Sequence, residues 1–237
     1  KPRTTPQVTP PHPGRRIMGC GSSFRTDPSD LFNRNLTLKI EEYVKDLDEK
    51  KKSKRRGSIQ AMCMMFPRVR KGFEKLRQGY LKLEDAKQKG IEFEVLHGAK
   101  IFDGFEKDKL LEYINESDVD SNKVIDFREY ILTLSFIFFL HPNMRESYDP
   151  PLIATYNIVA RSWCSFDIEK KGWIQKKKAM QIINGNSKNG AMKETIFTEE
   201  RFNEMDWDRN GEVSFKEFFL AYLEWSGVEF RNDIDDD

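Results

Sequence analysis

Asp206-Trp207-Asp208-Arg209-Asn210-Gly211-Glu212-Val213-Ser214-Phe215-Lys216-Glu217 has the residue types and spacing of a twelve-residue calcium-binding loop. Asp206, Asp208 and Asn210 put hard oxygen donors at loop positions 1, 3 and 5. Gly211 follows at position 6, where a sharp turn needs positive φ, which glycine adopts without a Cβ clash. Glu212 offers its backbone carbonyl at position 7, Ser214 can hold a bridging water at position 9, and Glu217 at position 12 closes the site bidentately. Calcium takes about 6–8 oxygens at roughly 2.3–2.6 Å, and one short stretch supplies them here.

The flanks agree. Phe202 and Met205 lie on one face of an incoming helix, and Phe218, Phe219, Ala221, Tyr222 and Trp225 form an apolar face on an outgoing one. Val213 at position 8 is placed to pair, strand-like, with a second loop. The same frame recurs three times. Asp118-Val119-Asp120-Ser121-Asn122-Lys123-Val124-Ile125-Asp126-Phe127-Arg128-Glu129 fills every side-chain ligand position. Asp167-Ile168-Glu169-Lys170-Lys171-Gly172-Trp173-Ile174-Gln175-Lys176-Lys177-Lys178 is the third copy. The first and most altered starts at Glu84, with Ala86 and Gln88 at positions 3 and 5, Ile91 at 8 and Val95 at 12. The residues four and one before each loop are Tyr80/Leu83, Ile114/Ser117, Trp163/Phe166 and Phe202/Met205. Only Ser117 among them is polar, so the weak copies are true repeats. Position 8 is Ile91, Ile125, Ile174 and Val213, β-branched each time, as a short cross-loop bridge prefers.

Charge separates the four loops. The fourth keeps its carboxylates and its glycine. The second keeps Asp118, Asp120, Asn122, the Val124 carbonyl, Asp126 and Glu129, but Lys123 replaces the turn glycine. A non-glycine residue in the left-handed region costs about 1–2 kcal/mol, so this loop is expected to bind less tightly than its charge suggests. The third has Lys171 at position 5 and Lys178 at position 12, which should abolish binding. The first has lost its oxygens at positions 3 and 12. The expected metal residues are therefore Asp206, Asp208, Asn210, Glu212 and Glu217, and Asp118, Asp120, Asn122, Val124, Asp126 and Glu129. Each pair of loops then holds one site and one structural partner.

The 237 residues allow two helical lobes with extensions: 58–144 for the first pair of hands and 152–229 for the second. Residues 1–57 read as a disordered, basic extension with a lipidation motif and an amphipathic helix, and 230–237 as an acidic tail. Eighteen Phe, eight Met and four Trp provide core and suit grooves that accept partner helices. A formal net charge of +1 implies neither a strongly acidic buffer nor a general nucleic-acid binder. Cys20, Cys63 and Cys164 have no metal or redox spacing, and their odd number suggests reduced, intracellular thiols. The apolar run Ile131 to Leu140 is too short to span a bilayer and reads as an outgoing helix buried in its own lobe. His141-Pro142 ends it, and Tyr148-Asp149-Pro150-Pro151 reads as an inter-lobe linker.

The N-terminal extension carries three further signals. Met18-Gly19-Cys20-Gly21-Ser22-Ser23 fits an N-myristoylation pattern on Gly19, with Cys20 as a palmitoyl acceptor, if translation starts at Met18. Leu36, Ile40, Tyr43, Val44 and Leu47 share one helical face, expected to lie on its own lobe, with a membrane or a partner as alternatives. Lys50 to Arg56, broken only by Ser53, suits anionic lipid, a nuclear address or a solvated linker. The localisation expected is cytoplasmic, with membrane association through the N-terminus conditional on that start, and the nucleus left open.

Phe202-Asn203-Glu204-Met205, the loop Asp206 to Glu217 and the helix Phe218 to Trp225 resemble the plant calmodulin-like proteins with a long N-terminal extension. Ser58 to Pro67 and the acidic end Asp233 to Asp237 add to the resemblance, which covers about residues 18–237. Met205-Asp206-Trp207-Asp208 is its most specific part. The resemblance implies an all-α fold of two EF-hand lobes, four hands with two degenerate, joined by short cross-loop β-bridges. It also implies a non-enzymatic calcium sensor that exposes an apolar groove to a helix of a target protein. The near-neutral charge, the two altered loops and the longer spacing between hands two and three depart from calmodulin itself. Similarity to the calcineurin-B-like group gives a second reading, a regulatory subunit with constitutively bound calcium. Three scattered histidines, His12, His97 and His141, offer no catalytic constellation.

Overall fold

Ile91 stands opposite Ile125, and Ile174 opposite Val213, so position 8 joins hand one to hand two and hand three to hand four. The computed structural model describes residues 28–51, 64–85, 87, 89–185 and 199–228. Met18, Gly19, Cys20, Cys63, most of the basic run and the acidic tail lie outside the described residues. The two antiparallel bridges are β1 (Ile91–Glu92) with β2 (Val124–Ile125), and β3 (Trp173–Gln175) with β4 (Glu212–Ser214). They are the only strand pairs among the described residues. All else is helix and loop, an all-α EF-hand fold.

Hand one enters on α2 (Phe66–Glu74) and α3 (Arg77–Leu81) and leaves on the short α4 (Phe93–His97). Hand two runs from α5 (Lys107–Ser117) to α6 (Phe127–Leu140). Hand three runs from α7 (Pro150–Phe166) to α8 (Lys176–Gly185), and hand four from α9 (Glu199–Met205) to α10 (Phe215–Trp225). Pro150 and Pro151 open α7, where a missing amide proton costs nothing.

Beyond its first turn, from Tyr130 to Phe139, every residue of α6 is buried, so that stretch cannot rest with one face in water. Burial in its own lobe was the expectation; the structure buries it against both hand pairs. Phe136 and Phe139 meet Phe215 of α10, and Phe138 stacks on Tyr156 of α7 with ring centroids 4.4 Å apart. The expected linker is likewise part of the packing. Tyr148 lies edge-on to Phe138 and Tyr156 and donates its hydroxyl to the Leu134 carbonyl at 3.0 Å. Arg145 explains the turn: its guanidinium caps the Phe138 and Phe139 carbonyls at the end of α6 and covers the Tyr43 ring.

The N-terminal helix α1 (Pro28–Lys51) carries the predicted apolar face, with Leu36 and Ile40 fully buried. It does not rest on the first lobe alone. Phe32 packs on Tyr113 and Phe136 and Tyr43 on Phe138 and Phe139, all in hand two. On its other side the Tyr43 hydroxyl donates to Asn157 of α7, and Asp48 pairs with Arg161 at 2.6 Å. One apolar stripe and one flanking polar stripe thus meet two different lobes. Helix α2 also crosses over: Phe73 lies edge-on to Tyr156 and Phe219, and Phe66 to Tyr222. A Cβ on Gly72 would fall 1.9 Å from Thr155 Oγ1, so that crossing depends on the missing side chain. No helix among the described residues is long and apolar enough to cross a membrane.

Candidate metal centres

The second and fourth loops share one hydrogen-bonded frame. In the fourth, Asp206 accepts the Asn210 amide at 3.0 Å on one oxygen and the Gly211 amide at 3.0 Å on the other. In the second, Asp118 accepts the Asn122 and Lys123 amides in the same way, each at 3.1 Å. Asn210 Oδ1 accepts from the Glu212 amide at 2.7 Å, and Asn122 Oδ1 from the Val124 amide at 2.6 Å. Position 4 is left-handed in both, at Ser121 and Arg209, and so is position 6. Gly211 takes φ 83° there and Lys123 takes φ 62°, the strained conformation that the sequence assigns to this lysine.

The closing glutamates are held by a capping box at the start of each exit helix. Glu217 accepts the Trp207 amide at 3.2 Å and the Ser214 amide at 2.8 Å, while Ser214 caps the Glu217 amide. Glu129 accepts the Val119 and Asp126 amides at 2.9 and 3.0 Å, while Asp126 caps the Glu129 amide. Position 9 therefore serves the helix start in both loops. The Asp126 carboxylate is further engaged by Arg128, at 2.9 Å through Nε and 2.8 Å through Nη2. The structure places Asp126 beside the acidic centre, and brings Asp118, Asp120 and Glu129 together. No feature of the loop motif announces that Arg128 engages Asp126. Glu212 and Val124 lie in the bridge strands, offering main-chain carbonyls only.

In each centre the three carboxylate oxygens lie within 4.8 Å of one another, as they do for Asp206, Asp208 and Glu217. Oxygens on opposite sides of a calcium ion span about 5 Å, so both clusters have a fitting size and an all-oxygen, hard donor set. Their electrostatics also call for a cation. Burial, then the neighbouring Asp126 charge, pushes the Glu129 carboxyl up to about 8. Burial likewise raises Glu217, Asp206 and Asp120 above the ordinary carboxylate range. A divalent ion in either centre would relieve the penalty on these anions. Asp206, Asp208, Asn210, Glu217 and the Glu212 carbonyl would hold one; Asp118, Asp120, Asn122, Glu129 and the Val124 carbonyl the other.

The remaining loops keep the shape without the charge. Asp167 accepts the Lys171 and Gly172 amides at 3.0 and 2.9 Å, the same frame again. Its position-3 residue, Glu169, is instead paired with Lys171 and Lys178. The Asp167 oxygen that accepts the Gly172 amide also accepts the Thr37 hydroxyl of α1 at 3.2 Å, and Trp163 Nε1 donates to that same hydroxyl oxygen at 3.0 Å. Glu41 of α1 pairs with Lys170. Hand three is thus a docking point for α1, a role that no loop motif could announce. In loop one Asp85 accepts the Lys87 amide at 2.8 Å, Glu84 accepts the Tyr80 hydroxyl, and Val95 stands half-exposed at position 12. Ala86 and Gln88 lie outside the described residues. Cys164 is half-buried, and burial pushes its thiol up to about 12.

No family model matches the chain. The chain is 26% identical over 189 residues to "probable calcium-binding protein CML22" of Arabidopsis thaliana, covering 76% of this chain and 81% of the relative. It is 22% identical over 180 residues to "probable calcium-binding protein CML21" of the same plant, covering 73% and 77%. With three loops on one frame, two of them with converging carboxylates, the chain has an all-α EF-hand fold and is similar over about three quarters of its length to plant calmodulin-like calcium-binding proteins.

Proposed function

We propose that the protein is a calcium sensor that takes one ion in its second hand and one in its fourth, and answers by offering apolar surface to a helix of a target protein. The observation that carries this is the convergence of Asp118, Asp120 and Glu129 in one loop and of Asp206, Asp208 and Glu217 in the other, their carboxylate oxygens within 4.8 Å of one another. Both relatives are named calcium-binding proteins, which supports calcium as the ion and a regulatory rather than catalytic role. An ion would draw Glu129 and Glu217 toward positions 1 and 3 and so rotate α6 and α10 against their incoming helices. Those exit helices carry Phe136, Phe139, Phe215 and Phe219, all buried. Their movement would uncover a groove suited to an amphipathic helix.

The regulatory-subunit reading has one specific support: α1 and α2 already cover those same faces. Calcium titration by calorimetry, paired with binding of a hydrophobic dye, separates the two. A sensor binds two ions and gains dye sites. Two ions with a higher melting temperature and unchanged dye binding would favour the subunit, and no saturable calcium uptake would end both readings.

A further inference from the structure

We propose that the two calcium loops are coupled to each other across the hand pairs, so that filling either one tightens the other. The proposal rests on the reading of both loops as calcium sites. Within a pair the bridge leads nowhere useful: β1–β2 joins loop two to the altered loop one, and β3–β4 joins loop four to the lysine-filled loop three. The structure supplies another route. Helices α6 and α10, the exit helices of the two intact loops, pack directly on each other.

Phe215 is the pivot. It sits at position 10 of loop four, two residues before Glu217, and is fully buried. Its ring centroid lies 6.0 Å from that of Phe139, edge-on, and 6.5 Å from that of Phe136, both on α6. Beside this contact the position-11 cations reach across. Lys216 pairs with Glu116 at 2.9 Å, which places a residue next to Glu217 against one two residues before Asp118. Arg128, next to Glu129, is held by Asp126 of its own loop and feels a weaker attraction from Glu224 of α10. The partly buried Lys216–Glu116 pair sets the register, while the aromatic packing carries the force. A close-packed contact does not yield gradually. Whichever ion arrives first must rearrange the α6–α10 contact, and the second then finds its exit helix already released. The coupling is therefore positive, and it must be reciprocal.

The test reads the fourth site through Trp207, at loop position 2 and 40% exposed, with Trp207→Phe as the control for the signal. In the full chain, Glu129→Gln should raise the calcium needed for half of the Trp207 response by at least about fivefold, the lower end of ordinary couplings. Glu217→Gln should weaken the second site by the same factor in calorimetry. The unaltered protein should bind with a Hill coefficient between 1 and 2. Glu116→Gln combined with Lys216→Met, a surface change that spares the ligands and the core, should lower that coefficient. A Trp207 midpoint that moves less than about twofold, or a Hill coefficient of 1 in the unaltered protein, overturns the coupling alone. A Trp207 signal indifferent to calcium in the unaltered protein overturns the reading of loop four, and the coupling with it.

Discussion

Lys178, at position 12 of the third loop, pairs its ammonium with Glu169 at position 3, so the loop closes on a cation of its own. Lys171 at position 5 pairs with the same carboxylate at 2.8 Å. With its position-3 anion neutralised, its closing glutamate absent and five lysines against two carboxylates, this loop is net positive and has no negative charge to offer calcium. Calorimetry should therefore count two ions per chain, and Glu217→Gln should leave one. A third ion would mean that the lysines can be displaced.

How much of this was legible beforehand depends on the range of the interaction. Ile91, Ile125, Ile174 and Val213 are set by loop position, and they pair as their positions predict. The left-handed φ of Lys123 follows from local spacing in the same way. Thr37 and Asp167, by contrast, are 130 residues apart, and nothing in the helical pattern of Leu36, Ile40 and Tyr43 says which lobe covers it. The apolar run Ile131 to Leu140 of α6 is visible as composition, but not that α1 and α10 supply its cover. Arg128 on Asp126 was hidden for a different reason: a side chain at position 11 is free to choose its partner.

Lys123→Gly tests the turn strain. Relief of the left-handed conformation is worth about 1–2 kcal/mol, less up to about 1 kcal/mol for the extra freedom of glycine in the unfolded chain. Removing a cation beside Asp118 adds to the gain at the metal. Calcium affinity of the second site should rise, and urea denaturation should show no loss of stability. An unchanged or weaker site would mean that Lys123 makes a favourable contact with the bound loop.

Glu129 makes calcium uptake pH-dependent. Its carboxyl stands at about 8 in the fold, against an ordinary 4.5, because of burial and then Asp126. Between those values the unfolded chain has lost a proton that the calcium-free fold retains. Its contribution to stability is thus whole below about 4.5, declines as pH rises and is gone above about 8. Calcium requires the carboxylate, so binding near pH 7 should release a proton and strengthen as pH climbs toward 8. Calorimetry in buffers of different protonation enthalpy measures this release, and Glu129→Gln should remove it from the second site. Equal heats in all buffers would show that the carboxyl is already ionised.

Gly172 and Gly211 occupy the same loop position, yet alanine should affect them differently. Both have positive φ, 93° and 83°, so each substitution meets the left-handed penalty of about 1–2 kcal/mol. Around Gly211 a Cβ would meet nothing within 4 Å. Around Gly172 it would fall 2.6–2.8 Å from the main chain of Asn33 and Arg34 in α1, atoms that cannot swing aside as a side-chain tip would. Overpacking of this kind adds about 1–3 kcal/mol. Gly172→Ala should therefore cost more stability in urea than Gly211→Ala and raise hydrogen exchange along α1, with the Trp207 response to calcium retained. Gly211→Ala should do the reverse, weakening that response while α1 stays protected. Equal losses from the two substitutions, with no change in α1 exchange, would mean that the third loop does not hold the helix.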